Sequence, residues 1–182
     1  MNAKLSSTVL SLAVMTLCLA GTAMGQYQQA HRQSGFWFSA GLGWGSLGCQ
    51  DCTSRTGGLS GNLALGGTLS QKVLLGVSGN GWTKSENGST LNVNAITAAA
   101  RFYPSARGGF FLIGGLGIGT VSAAVSGFGS GSETGVGALV GLGYDMKIGP
   151  KVYLTPYWNG FAMNSSSTNA NVGQIGLGVT VR

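Results

Sequence analysis

The segment from Thr134 to Met146 carries the pattern that most restricts the fold of this chain. Its letters, TGVGALVGLGYDM, place mainly apolar residues in one alternating row and mainly glycine in the other, and the glycine row ends in Asp145. Because successive side chains of a β-strand point to opposite faces, a strand here has one apolar face and one nearly bare face. Glycine weakens a strand in water and offers no side chain for packing. In a membrane, by contrast, the apolar face meets lipid and the bare face fits the inside of a narrow closed barrel.

The composition agrees with strands that cross a membrane. The chain has 182 residues, of which 34 are glycine and only 8% are charged, too few charges for an ordinary soluble surface. After residue 25 no uninterrupted apolar stretch approaches about 18 residues, which excludes an ordinary transmembrane helix. The aromatic residues and the sustained alternation favour many short strands over low-complexity disorder.

The N-terminus has the pattern of a signal peptide. Lys4 supplies a positive charge, Val9 to Leu19 form an apolar segment, and Ala23-Met24-Gly25 form a small-x-small cleavage site. Cys18 raises the alternative of lipoprotein processing, but Leu17 before it is too large for that reaction. We therefore expect residues 1–25 to be removed in an oxidising compartment, and residues 26–34, polar and without a pattern, to form a periplasmic leader.

Residues 35–182 are predicted to contain eight strands. The fourth is irregular, because Leu91 and Val93 share the parity of Arg101, and a bulge or an end above the membrane would explain this. Loops are predicted at Thr83–Ser89 and Ser126–Ser132. The predicted strands run approximately over Gly35–Ser46, Gly58–Leu69, Val73 to the first of these loops, Leu91–Tyr103, Gly109–Ala123, Thr134–Met146, Lys151–Met163 and Val172–Arg182.

This count predicts an all-β protein, an eight-stranded antiparallel up-and-down transmembrane β-barrel. About ten residues suffice for a tilted spanning strand. The connections around Lys72, Pro104 and Gly149 are short, and outer-membrane barrels combine short turns on one side with longer loops on the other. A soluble eight-stranded barrel would need a charged exterior, which this composition cannot supply.

Three segments carry a resemblance to a known family: ARFYPSARGGFFLIGGLGIG from Ala100, VGALVGLGYDMKIGPKVYLTPYWNG from Val136, and the closing IGLGVTV. The chain resembles the small eight-stranded outer-membrane β-barrels, a porin-like family that includes opacity and attachment-type proteins and the OmpA membrane domain. The resemblance implies the cell outer membrane, contact with its lipids and lipopolysaccharide, and insertion by the barrel-assembly machinery. Such chains usually end in an aromatic residue, whereas this one ends in Val181-Arg182.

Cys49 and Cys52 form a C-x-x-C motif with three alternative functions. A redox pair would need a helix start within a βαβ pattern, and a zinc site would need about four ligands, whereas only His31 could join the two thiols. A disulfide at the tip of the first outer loop suits the compartment best. His31 lies in the leader, and the predicted lipid-facing residues include no histidine or carboxylate to act with a serine, so we predict no enzyme, metal or cofactor.

The charges are expected to separate along the barrel. Basic residues lie at or near the short turns, and an acidic residue lies in each of the first three outer loops; these are Lys72, Arg101, Arg107, Lys147, Lys151 and Arg182, and Asp51, Glu86 and Glu133. The basic residues either contact anionic lipid headgroups or cell-wall polymer, or are ordinary solvated turns. They are too scattered for nucleic-acid binding.

Arg101 and Asp145 are hypothesised to form an ion pair in the lumen. Both residues lie near turns at the same end, and Asp145 shares the glycine face of its strand. An arginine facing lipid costs about 2–4 kcal/mol near mid-membrane, so the lumen is the more favourable position. Two separately hydrated charges are the alternative.

Two functions remain. Either the barrel is a structural or surface-interaction module whose outer loops contact lipopolysaccharide, host surfaces or other proteins, or it is a narrow channel for small solutes. An eight-stranded barrel has an interior that side chains can fill. The residues predicted to fill it are Tyr153, Thr155, Tyr157, Asn159, Trp82 and Leu74, which favours the first function.

Overall fold

The computed structural model describes residues 35–49, 54–86, 88–125, 127, 129–166 and 168–182. These residues form no helix that is long and apolar enough to cross a membrane. They form the strands β1 (Phe36–Cys49), β2 (Thr56–Thr68), β3 (Val73–Glu86), β4 (Ser89–Phe102), β5 (Phe110–Val125), β6 (Gly129–Tyr144), β7 (Met146–Lys147), β8 (Val152–Asn164) and β9 (Asn169–Val181). The predicted signal peptide (residues 1–25) and leader (residues 26–34) lie outside the described residues.

The eight long strands form one sheet that closes on itself. Strands β1 to β6 each pair antiparallel with the next strand, β8 pairs with both β6 and β9, and β9 returns to β1. The two residues of β7 continue beside β8 after Asp145 interrupts β6. The predicted eight-stranded up-and-down barrel is therefore confirmed, and β7 is an addition that the sequence did not indicate. We call the end with the turns at 69–72, 103–109 and 148–151 the lower end, and the opposite end the outer end.

The strands are strongly staggered around the barrel. A row of paired residues that starts at Phe38 returns to β1 at Gly48, ten residues further along the strand. The row passes through Leu65, Val77, Ala98, Leu116, Ala138, Ala162 and Asn171. Stagger and strand tilt are linked in a closed barrel, so the strands lie oblique to the barrel axis and enclose a narrow interior.

The outer wall of the barrel is apolar. On β6 the predicted alternation is confirmed, since Val136, Val140 and Leu142 are exposed while Leu139 and Asp145 are buried. Side chains as large as Leu42 and Leu116 are each 70% exposed. Exposed apolar surface on this scale marks contact with a membrane or a partner, and here it surrounds the whole barrel. A groove of about 970 Å³ across β1–β4 and β8–β9 is part of this apolar wall.

Two predicted loops are wrong, and of the two explanations given for the irregular fourth strand the bulge is wrong. Most of Thr83–Ser89 belongs to β3 and β4, and Gly129–Ser132 begins β6. The pairing of β4 is continuous from Ser89 to Phe102 on both sides, so β4 has no bulge. The reason is that pairing with a neighbouring strand uses backbone N–H and C=O groups, which polar residues and glycine carry as well as apolar residues. Segments with the composition of loops can therefore be strands. Val93 accordingly points into the lumen, where it is fully buried.

Four strands continue beyond the apolar wall at the outer end. The outward positions there change from Ile96, Ile118 and Val136 to asparagine, serine and threonine, while pairing among β3, β4, β5 and β6 continues. We call this region the protruding sheet; it consists of Thr83–Glu86, Ser89–Asn94, Thr120–Val125 and Gly129–Thr134.

Glycines on the inner face make room for large inward side chains. A Cβ atom on Gly41 would lie 2.7 Å from Cε1 of Tyr157, and one on Gly176 would meet the Tyr157 hydroxyl as well as the carbonyl oxygen of Leu42. The ring of Tyr157 is therefore accommodated by two glycines on neighbouring strands. By contrast, a Cβ on the outward Gly79 would meet nothing closer than 3.9 Å.

We predict that Gly176→Ala destabilises the barrel by about 1–3 kcal/mol, because overpacking forces Tyr157 or the backbone to move. A closed barrel resists detergent, so unheated protein should migrate faster in an SDS gel than boiled protein. The temperature at which this shift occurs measures the effect. Gly79→Ala is the matched control and should leave it unchanged. Equal shifts for both variants, or no difference between heated and unheated protein, would contradict the packing of the lumen described above.

Candidate functional site

The lower end of the lumen is closed around Asp145, which lies between β6 and β7. Asp145 is buried, and its carboxylate accepts hydrogen bonds from the hydroxyls of Tyr103 and Thr155, each at 2.7 Å. The guanidinium of Arg182 forms an ion pair with the same carboxylate. A buried carboxylate is costly unless it is both paired and hydrogen-bonded, and Asp145 meets both conditions.

Arg182 connects the lower ends of several strands. Besides Asp145, its Nη2 donates to the Tyr103 hydroxyl at 3.0 Å, and its guanidinium lies 4.5 Å from the ring centre of Tyr153. Burial and the Asp145 carboxylate raise the pKa of Tyr103 well above its ordinary value. The Tyr103 hydroxyl therefore stays protonated and can donate to Asp145.

Arg101 does not make the predicted ion pair. It is buried near the lower end, as expected, but among the described residues the partner of Asp145 is Arg182. The Arg101 guanidinium instead lies 4.5 Å from the ring centre of Trp37 and 4.8 Å from that of Phe111. The sequence prediction missed Arg182 as the partner of Asp145. Its parity with the inward residues Gln174 and Thr180 was the signal that its side chain points into the lumen.

Amide side chains form a layer in the middle of the lumen. The Asn80 Oδ1 accepts from Asn159 at 3.2 Å and from Gln174 at 2.9 Å, and the Asn80 amide donates to the Ser78 hydroxyl at 3.1 Å. These contacts join β3, β8 and β9 across the barrel. No strand's local pattern shows them, because they depend on the stagger of the whole sheet.

The outer part of the lumen is filled by apolar side chains. The largest of these, Trp82, donates from its Nε1 to the carbonyl of Gly45 at 3.1 Å. Other apolar side chains buried in the lumen include Val93, Leu139, Phe161, Met163 and Val172. The predicted inward positions of Tyr153, Thr155, Tyr157, Asn159, Trp82 and Leu74 are all confirmed by their burial. Side chains therefore fill the lumen in three layers, which leave a cavity of about 10 Å³ below the amide layer.

Charged side chains at the outer end are engaged with neighbours. Arg55 donates to the Ser46 hydroxyl at 3.0 Å and to Asn171 at 2.8 Å, and thus spans the junction of β1 and β9. Lys84 pairs with Glu86 at 2.7 Å. Glu133, predicted to lie in a loop, belongs to β6 and accepts from Ser165 and Thr168. Basic residues therefore occur at both ends of the barrel.

Metal and redox chemistry gain no support from the described part of the chain. There, no three histidine, cysteine or acidic side chains come together in a way that could hold a metal ion. Cys49 is the last residue of β1, whereas Cys52, His31 and Asp51 lie outside the described residues. The Cys49–Cys52 disulfide therefore stays a prediction.

Comparison with known families identifies one match. The family model described as outer membrane protein beta-barrel domain matches residues 15–182. No curated protein sequence matches the chain.

Several solved structures share the architecture. Neisserial surface protein A is 17% identical with a TM-score of 0.61, and Ail, the attachment invasion locus protein of Yersinia pestis, is 15% identical with a TM-score of 0.63. Each match covers 82% of this chain and 99% of the other. The N-terminal β-barrel domain of Pseudomonas aeruginosa OprF is 13% identical with a TM-score of 0.50, over 81% of this chain and 99% of that domain. At these identities the likeness is one of fold.

We predict that Asp145→Ala and Arg182→Ala are strongly non-additive, because each removes the partner of a buried charge. Unfolding in detergent should give a coupling energy of about 0.5–3 kcal/mol for this pair. A parallel cycle with Arg101→Ala and Asp145→Ala should give a smaller coupling. Additive effects for Asp145 and Arg182 would show that their ion pair contributes nothing.

Proposed function

Because the chain belongs to the outer membrane protein β-barrel family, we propose that it is a surface-interaction module whose protruding sheet binds a protein partner. The barrel lies in the cell outer membrane, where lipid and lipopolysaccharide cover its apolar wall. The observation that carries the proposal is the division of the molecule into a filled lumen and a sheet that rises beyond the apolar wall. The lumen is packed with side chains around a cavity of about 10 Å³, so the outer end is the surface left for recognition.

The edge of the protruding sheet is suited to an extended polypeptide. Strand β6 pairs with β5 along its whole length, but with β8 only from Val136 to Gly143. Gly129–Thr134 therefore has a strand neighbour on one side only. An edge strand presents backbone donors and acceptors to an added strand. The Glu133 carboxylate on this edge already accepts from Ser165 and Thr168, so the backbone is the part of the edge that recognition would use.

The alternative of a sulfated sugar is less well supported. One structure of Ail contains the heparin analogue sucrose octasulfate, which shows that a barrel of this fold can hold a polyanion. In the present chain the outer cations Arg55 and Lys84 already contact Ser46, Asn171 and Glu86. Glu86 compensates the charge of Lys84, and the N–H groups of Arg55 are occupied by neutral partners. We therefore favour a protein partner on the host or on another cell.

Assembly and chemistry fit a non-enzymatic role. We infer that the barrel-assembly machinery inserts the chain, and the pairing of Val181 with both Phe38 and Val152 supports a closed barrel as the product. Asp145, the acidic group buried in the lumen, is occupied by Arg182 and two hydroxyls and is therefore a structural group.

We predict that peptides selected from a library of unstructured segments for binding to the folded protein lose at least tenfold in affinity when Ser132→Lys places a charge on the β6 edge. Ser122→Lys is the matched control, because Ser122 pairs directly with Ser132 but lies on the inner strand β5. Equal loss in both variants would contradict edge recognition. Binding of sucrose octasulfate that depends on Arg55 would favour the sugar instead.

A narrow channel is the second function, and the filled lumen argues against it. Protein whose folding has been verified by gel mobility should produce no steady single-channel steps in a planar bilayer. Steps whose number rises with the amount of inserted protein would overturn the surface-interaction proposal.

A further inference from the structure

The interior of the barrel carries an unbalanced positive charge. Arg101 is 3% exposed, and the side chains of Arg182 and Asp145 are 9% and 2% exposed. Two guanidinium groups thus face one carboxylate, and that carboxylate is engaged by Arg182, Tyr103 and Thr155. Burial of a charge without a counter-charge is strongly unfavourable, so Arg101 requires a further partner.

The aromatic contacts of Arg101 do not meet this requirement. Trp37 and Phe111 attract the guanidinium through their ring faces. Ring faces offer no lone pair, however, so these contacts do not replace conventional hydrogen bonds to the guanidinium N–H groups. Among the described residues, Nε and Nη1 of Arg101 have no hydrogen-bond partner.

Arg101 lines the small cavity of about 10 Å³ below the amide layer. The cavity is lined by Arg101 together with polar groups that can donate. The Tyr157 hydroxyl is buried without a partner in the described part of the chain, and Ser78 accepts from Asn80, which leaves its own proton free. No acidic residue lines the cavity. Such a space is on the scale of one water molecule or a single-atom ion.

We propose that this cavity is a binding site for one monatomic anion, with chloride as its natural form. Arg101 supplies the charge and its in-plane N–H groups, and Tyr157 and Ser78 supply hydroxyl donors. The ion balances the second guanidinium of the lumen. Polyatomic anions such as sulfate or gluconate are too large for the cavity.

The test compares protein folded in sodium chloride with protein folded in sodium gluconate at equal ionic strength. A ligand that binds only the folded state stabilises it in a saturable way. The temperature at which the folded gel band is lost should therefore rise with chloride and reach a plateau. Arg101→Gln should abolish the difference between the two salts. The matched control Arg107→Gln makes the same charge change at an exposed turn and should keep it.

Tyr157→Phe provides a second variant that removes one donor and retains the ring. It should weaken the apparent chloride affinity several-fold. If Arg101→Gln does not fold, Tyr157→Phe replaces it as the test variant. Crystals containing bromide should show an anomalous peak beside Arg101. Three results would overturn the proposal and indicate a water molecule in the cavity. They are an equal temperature of band loss in the two salts, a chloride effect that survives Arg101→Gln, and a cavity without bromide.

Discussion

Backbone hydrogen bonding within lipid is the constraint on which the rest of this structure depends. The hydrocarbon core offers no water to an unpaired N–H or C=O, so a sheet that crosses it must close. Closure with eight strands leaves an interior only as wide as the side chains that fill it. The inward glycines follow directly from this limit, because rings such as those of Tyr157 and Phe111 need the volume that a neighbouring Cβ would occupy.

The same constraint explains the sorting of polar groups in the lumen. The narrow lumen brings side chains from distant strands within hydrogen-bond distance. Asn80 contacts Asn159 and Gln174, and Asp145 contacts Tyr103 and Arg182. The type of side chain differs between the three layers of the lumen. Amides hydrogen-bond to one another in the middle, apolar side chains exclude water above them, and charges lie near the lower mouth.

The strand faces could be read from the sequence because each position is either lipid-facing or lumen-facing. Thr134–Met146 shows this plainly, and its alternation is reproduced in β6. The strand ends were missed because Gly129–Ser132 and Thr83–Glu86 have the composition of loops, whereas their pairing comes from a neighbouring strand. The partner of Asp145 was missed for a related reason. Parity within a strand identifies the inward residues, but the stagger of ten residues around the barrel decides which of them meet.

The position of Arg182 has a consequence for the order of events during folding. Tyr103 and Asp145 lie after β4 and β6, whereas Arg182, which neutralises the carboxylate, follows β9. Until β9 pairs with β1 and β8, the lower mouth holds an acidic group without its cation. Docking of the last strand therefore completes the hydrogen-bond ladder and the charge balance in one step. The final closure is thereby made cooperative, since neither the open sheet nor the unpaired carboxylate is stable in the membrane alone.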